Sequence, residues 1–405
     1  MQPLRMTIRG TYWDSQVYSG KLYLFSREGS LRTIDWDRLV ESLKVPQELG
    51  LAMHCAFLRS DYFYGNQWNM LFEDKEVKSL IQSKFSRLAE RDILVSEQIV
   101  GECTLATQDS PFPFPHADTT VYRNVLYAAS RSGIFRSSCR RKKQAIIVGN
   151  AEKIWDCPML SISASYNTLA LAAGDDGLFE LEINKDEGVP DKNAEPKEIT
   201  KKNCTAANWL YFSTYGSSHV GDGFLADFKM IERKRQSDIA RDWIGPNVRK
   251  LEKIVTAQKI FLEKGYSWGT KDKICQATNS RVEVVQYNPW KETDEERLRP
   301  LGTIQLQPWK GKVISGGIAL LGTIIECENA IVVVPSEGDP ITLPGEPVNW
   351  RVFPRSKYYE NTLHIVYEDS LEIYSFNHDY FVDQKTKRSG IRFAESRRGG
   401  GFQGR

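Results

Sequence analysis

Five histidines (His54, His116, His219, His364, His378), seven cysteines (55, 103, 139, 157, 204, 275, 327) and the adjacent pair Asp175-Asp176 are the side chains of this 405-residue chain most suited to metal, nucleophilic or acid–base chemistry. Their spacing assembles no site. HExxH, GxSxG, the phosphate-cradling GxxxxGK[ST], GxGxxG after a strand and the EF-hand loop are all missing. His54-Cys55 would need a distant third ligand to hold a metal, and reads instead as part of a packed strand pair. Two neighbouring carboxylates can shift each other's pKa. Asp175-Asp176-Gly177, however, has the composition of a hairpin turn, where Asp favours the backbone geometry. The sequence therefore assigns no catalytic residue, no metal ligand and no cofactor.

Residues suited to recognition are easier to name. Most of the ten tryptophans, including Trp13, Trp155, Trp209 and Trp350, lie in or beside apolar runs and read as packing between sheets. Trp290 and Trp309 instead flank the charged stretch 291–299, and are expected to be exposed anchors for a partner. Arg140-Arg141-Lys142-Lys143 reads either as a dock for a phosphate backbone or acidic protein, or as a solvated loop. The segment around Arg397, Arg398 and Phe402 is similar to arginine and glycine rich stretches that contact RNA by charge and stacking. A flexible solubilising terminus is the other reading.

Composition limits the elements that could position these groups. Hydrophobic residues make up 41% and charged residues 26%, which excludes bulk disorder and collagen-like structure. With 54 basic and 52 acidic side chains the net charge is +2, too small for a global field toward DNA or a membrane surface. Met1 to Gly10 has no apolar run, and the longest apolar stretch, 314–325, is too short to span a bilayer. A soluble, cytoplasmic protein with reduced thiols is the expectation.

The elements themselves recur. Leu22 to Phe25 turns through Arg27-Glu28-Gly29 to Leu31, Val125 to Ala128 through Arg131-Ser132-Gly133 to Ile134, and Leu169 to Ala172 through Asp175-Asp176-Gly177 to Leu178. The offset between paired apolar runs is the same each time, which identifies equal hairpins. Looser copies begin at Tyr62, Trp209, Ile274, Thr323 and Leu363. Five of the seven intervals between these starts lie between 40 and 49 residues, and two are near 64. Each long interval holds a stretch of helical character. Val77, Leu80, Ile81, Phe85 and Leu88 share one helical face, and Val248, Leu251, Ile254 and Val255 follow the Gly245-Pro246 breaker. Helical insertions are expected over about 74–100 and 231–262. Residues 384–405 carry seven basic side chains against Glu395, and are expected to be a mobile basic tail after a single folded unit, 1–383.

This cadence resembles the β-propeller superfamily, WD40-like in the broad sense, whose four-stranded blades recur every ~40 to 50 residues. Trp36-Asp37 and Trp155-Asp156 are the only Trp-Asp pairs, without regular Gly-His partners. The resemblance implies an all-β fold, a single β-propeller of seven or eight blades. The count turns on whether Tyr62 to Phe72 forms a hairpin, and eight is expected. Leu4 to Thr11 would complete the last blade and hide both sheet edges. The function expected is a non-catalytic protein-interaction scaffold or regulatory subunit. The alternative is an RNA accessory factor using the tail and 139–143, and a hydrolase or lyase with a central-channel site ranks third. A protein partner is expected, nucleic acid is an open alternative, and neither a membrane nor a small-molecule cofactor is.

Overall fold

The computed structural model describes residues 2–376 apart from 65–70, 73, 140, 143–144, 147, 185–188, 191–193, 221–222, 232–247, 279, 307–311 and 336–338. Seven antiparallel four-stranded sheets form the blades of a propeller. Blade 1 holds Tyr12–Tyr18, Lys21–Ser26, Ser30–Asp35 and Thr104–Asp109. Blades 2 to 6 follow in chain order, their first strands being His116–Tyr122, Ser161–Ser165, Ala206–Leu210, Tyr266–Thr270 and Val313–Ala319. In blade 7, Asn349–Val352, Thr362–Val366 and Ser370–Ser375 are completed by Leu4–Arg9. That closure pairs Leu4 with Ser375 and Arg9 with Ser370. The beginning and end of the described chain thus share a sheet, as the sequence led us to expect, and the ring has no free seam.

The hairpins with equal offsets are the second and third strands of blades 1, 2 and 3. Every residue of Val125–Ser130 and of Thr168–Ala172 is buried, because these strands are covered on both faces by neighbouring blades. Where large rings fill the wedge between blades, the facing backbone must be bare. A Cβ on Gly316 would meet Trp268 at 2.4 Å.

Two expectations need correction. The described residues form seven blades and no eighth. Residues Asp61–Tyr64 are helical, and Phe63 packs edge-on against Phe72 and Phe85, both at 5.6 Å. The apolar and aromatic run read as a strand is the lining of a helical core. That core belongs to one insertion, 36–103, between the third and fourth strands of blade 1. Three of its helices, Trp36–Ser42, Lys75–Ala89 and Glu97–Cys103, are capped by Asp35, Asp74 and Ser96, whose side chains accept backbone N–H bonds. The main helix, Lys75–Ala89, buries Ile81, Phe85 and Leu88 while Leu80 is exposed. These side chains join Met6, Ile8, Leu371 and Ile373 of blade 7 in one hydrophobic cluster. Ile93–Val95 adds a fifth, parallel strand against Met6–Ile8. His54-Cys55 lies in the π-helical turn His54–Leu58 and not in a strand.

The second correction concerns 231–262. Val248–Thr256 is the fourth strand of blade 4, and among the described residues of this range, which exclude 232–247, only Ala257–Ile260 is helical. Its register shifts so that Asp227 faces Lys253 and Phe228 faces Leu251. Glu252 is the extra residue of a bulge. The bulge puts Leu251 and Ile254 on one side of the sheet, in the same cluster, so a strand imitates helical spacing. The expected tail, 384–405, lies outside the described residues.

Candidate partner-binding face at the channel mouth

The first strands line the channel, and their polar side chains tie blade to blade. Arg351 on the first strand of blade 7 forks onto Asp14 of blade 1, Nε to Oδ1 at 2.6 Å and Nη2 to Oδ2 at 2.7 Å. Its Nη1 reaches Asp118 Oδ1 of blade 2 at 2.9 Å and the Thr119 carbonyl at 3.0 Å. Asp118 in turn accepts from Ser161 Oγ and the Ile162 N–H of blade 3, both at 2.9 Å. Burial opposes charge on Asp14, but Arg351 and His116 overcome it and hold the carboxyl well below its usual range. Burial likewise disfavours the Arg351 cation, and its two carboxylates raise it above its usual value. Asp14 and His116, with Nε2 3.4 Å from Oδ2, are shut from solvent. An acid, a base and a cation therefore meet here, but each carboxylate is already committed to Arg351. This is a fastening between blades.

The turns that join first to second strands open on one rim of this channel. They hold all seven described non-glycine residues with left-handed backbone: Ser19, Arg123, Asn124, Tyr166, Asn167, Tyr211 and Lys271, with φ between 48° and 62°. Asn and Gly are at ease in such two-residue turns. Tyr, Arg and Lys are not, and each costs about 1 kcal/mol or more held there. The positions that carry this strain all lie on one rim, around the opening.

A cavity of about 470 Å³ lies among these turns, lined by Ser165, Tyr166, Tyr211, Lys271, Asp272, Arg355 and Glu360. Lys271 Nζ is 3.8 Å from Glu360 Oε2, and Lys273 Nζ is 4.0 Å from Asp272 Oδ2. Burial lowers the Lys271 pKa, only partly offset by Glu360 and Asp272. Burial raises that of Asp272, and no hydrogen bond reaches its buried Oδ1 among the described residues. Arg355 comes from the long blade 7 turn, 353–361. It donates to the Ala164 carbonyl at 3.1 Å and sits 5.8 Å from the Trp209 ring. No carboxylate pairs with it among the described residues, and desolvation pushes it down to about 10.

Trp290 belongs to this rim. It is 64% exposed, and its ring stands edge-on to Tyr211 at 4.6 Å and to Phe212 at 5.9 Å. Its loop joins the third and fourth strands of blade 5, and a buried Arg297 holds it in place. Arg297 Nη1 bonds Asp227 at 2.8 Å and Glu252 at 2.9 Å, while Nε reaches the Lys291 carbonyl at 2.6 Å. Of the other residues marked in the sequence, Trp309, Arg140, Lys143, Arg397, Arg398 and Phe402 lie outside the described residues. The backbones of Arg141 and Lys142 form a short hairpin with Ala145–Ile146. It too connects the third and fourth strands of its blade, and so leaves the sheet on the same face as the turns. Asp175 and Asp176 lie in an exposed turn, where Asp175 accepts from Asn203 Nδ2 at 2.7 Å. Among the described residues no three His, Cys, Asp or Glu side chains gather as a metal-holding group.

Sequence reasoning missed Arg355, Lys271, Tyr166 and Tyr211. Asn stands at two of these turns, at 124 and 167, but nothing local shows that five blades bring theirs to one opening.

One solved structure, with a TM-score of 0.51, supports the propeller fold. No protein-family model matches the sequence, and neither does any curated protein. Among solved structures, the chain is similar to the β-propeller domain of Myceliophteria thermophila Cps50 (Swd1), with a TM-score of 0.51 and 8% identity over 92% of this chain and 100% of that one. Raptor from Chaetomium thermophilum gives 0.46 at 9% identity, over 92% of this chain and 27% of its own. The WD40 propeller domain of Doa1 gives 0.35 at 10% identity, over 66% of this chain and 95% of that one.

Proposed function

We propose that this seven-bladed propeller is a non-catalytic protein-interaction scaffold whose docking face is the rim around Arg355, Tyr211 and Trp290. The observation that carries the reading is the rim's backbone. Left-handed Tyr, Arg and Lys residues sit on turns that a more relaxed sequence would fill with Asn or Gly. Anchors of this type, rigid aromatics beside a cation on a fixed frame, are what partner recognition uses. The seven cysteines stand as thiols, six of them buried, and we place the protein in a reducing compartment, the cytoplasm.

The test is recovery of endogenous partners by the immobilised full chain, with and without nuclease, against a Trp290→Ala chain. The expected result is a protein partner that survives nuclease and is lost from the variant. Disappearance of every partner on nuclease treatment would transfer the function to nucleic acid. Recovery unchanged by Trp290→Ala would remove this face from consideration.

A further inference from the structure

We infer that the 470 Å³ cavity receives a carboxylate carried by a partner polypeptide, an Asp or Glu side chain, with the Arg355 guanidinium as its receptor. The inference rests on the docking face proposed above and specifies what enters it.

Charge bookkeeping comes first. Lys271 has Glu360 beside it and Asp272 has Lys273. One cation, Arg355, is left over, and a guanidinium with a single hydrogen bond to a carbonyl retains donors arranged as a planar fork. A carboxylate matches that fork and balances the excess of three cations, Lys271, Arg355 and Lys273 behind the wall, over the two carboxylates Asp272 and Glu360. A phosphate brings nearly two charges into a cavity already lined by Asp272 and Glu360, so repulsion disfavours it. Second, the cavity is not purely anion-seeking. Asp272 Oδ1 is buried on its wall without a hydrogen bond, and a buried acceptor gains from any donor that reaches it. A peptide offers both kinds of group, an acidic side chain for Arg355 and a backbone N–H for Asp272. A free inorganic anion offers only the first. Third, the aromatic surface continues past the cavity through Tyr211 and Phe212 to Trp290. An apolar residue near the acid in the partner's sequence has a place to pack.

The experiment uses the full chain and biotinylated decapeptide pools with randomised flanks and a fixed central residue: Glu, Gln, phosphoserine or Lys. The native protein is expected to retain the Glu pool several-fold over the Gln pool and above the phosphoserine pool. Arg355→Ala should erase the preference for Glu over Gln, and Arg355→Lys should restore part of it, since the charge returns without the fork. Thermal melts of both variants matching the native chain keep the comparison free of unfolding. Equal retention of the Glu and Gln pools, a preference that survives Arg355→Ala, or stronger retention of phosphoserine would each overturn the proposal. Displacement of the Glu pool by acetate as readily as by an acidic peptide would also overturn it, in favour of a small free carboxylate. If Arg355→Ala leaves recovery of cellular partners intact while Trp290→Ala abolishes it, the carboxylate receptor fails and the docking face stands.

Discussion

Arg351 and Arg355 lie four residues apart on one strand and the turn that follows it, and their surroundings are opposite. Inside the channel wall, Arg351 meets two carboxylates and a carbonyl, and its cation is favoured. At the mouth, Arg355 meets one carbonyl and no described carboxylate, and its cation is disfavoured. The first arginine is consumed by the fold, and the second is left available. Within a single segment the molecule separates what holds the ring from what the ring presents.

The contrast can be broken at its strong end. Arg351→Met leaves the buried Asp14 and the half-buried Asp118 without their cation, and should cost about 3–5 kcal/mol in chemical denaturation. Adding Asp14→Asn should return a substantial part of that loss, because one of the two stranded charges disappears. A double variant as unstable as Arg351→Met alone would show that Asp14 is not the partner that matters.

Acid should weaken the channel wall through His364, whose Nδ1 faces Ser15 Oγ at 3.1 Å. Burial first, and then Arg351, push its pKa down from 6.5 to about 3. In that window the unfolded chain binds a proton that the folded chain does not. Stability is therefore complete above 6.5 and falls by about 1.4 kcal/mol per pH unit as the pH drops below it. Asp14, whose pKa is depressed, adds a further loss in the same direction below its ordinary 3.8. Denaturation midpoints between pH 4 and 7 should show this slope, and His364→Gln should be flatter by one proton.

The mouth should respond in the opposite sense. Arg123→Asn places in a left-handed turn position the residue that tolerates it best, and should stabilise the chain by up to about 1 kcal/mol. A loss of stability would mean that the Arg123 backbone is not strained. The smallest effect belongs to Arg355→Ala, expected within about 0.5 kcal/mol of the native chain. A drop comparable to that of Arg351→Met would merge the two regions and deny that the mouth is separate from the frame.

How much of this could be read in advance depended on whether the signal was local. Hairpins with equal offsets at 22, 125 and 169 are local, and each proved to be the central pair of a blade. The copy begun at Trp209 was one strand early, since the second strand of blade 4 is Ser213–Ser217. Two kinds of error came from periodicity carrying the wrong cause. Aromatic residues around Tyr62 pack a helical core, and a bulge at Glu252 gave a strand the spacing of a helix. Asp14, Asp118 and Arg351 could not have been grouped from sequence. They are drawn from three blades at opposite ends of the chain and meet only when the ring closes. The exposure of Trp290 was legible because the residues that follow it in sequence are charged. Arg355 was not, since an arginine after Pro354 is ordinary until its neighbours are known.

The parallel strand Ile93–Val95 bears on how such a ring is made. Leu4–Arg9 precedes Ile93–Val95 in the chain, whereas its antiparallel partner Ser370–Ser375 is among the last described segments to emerge. Through most of translation the opening strand would have a bare hydrogen-bonding edge, a template for aggregation. Ile93–Val95 is synthesised early enough to occupy the other edge, and its helices cover Met6 and Ile8. The insertion in blade 1 therefore covers Leu4–Arg9 from the side that the seventh blade leaves open, so that the closing strand is paired along both edges.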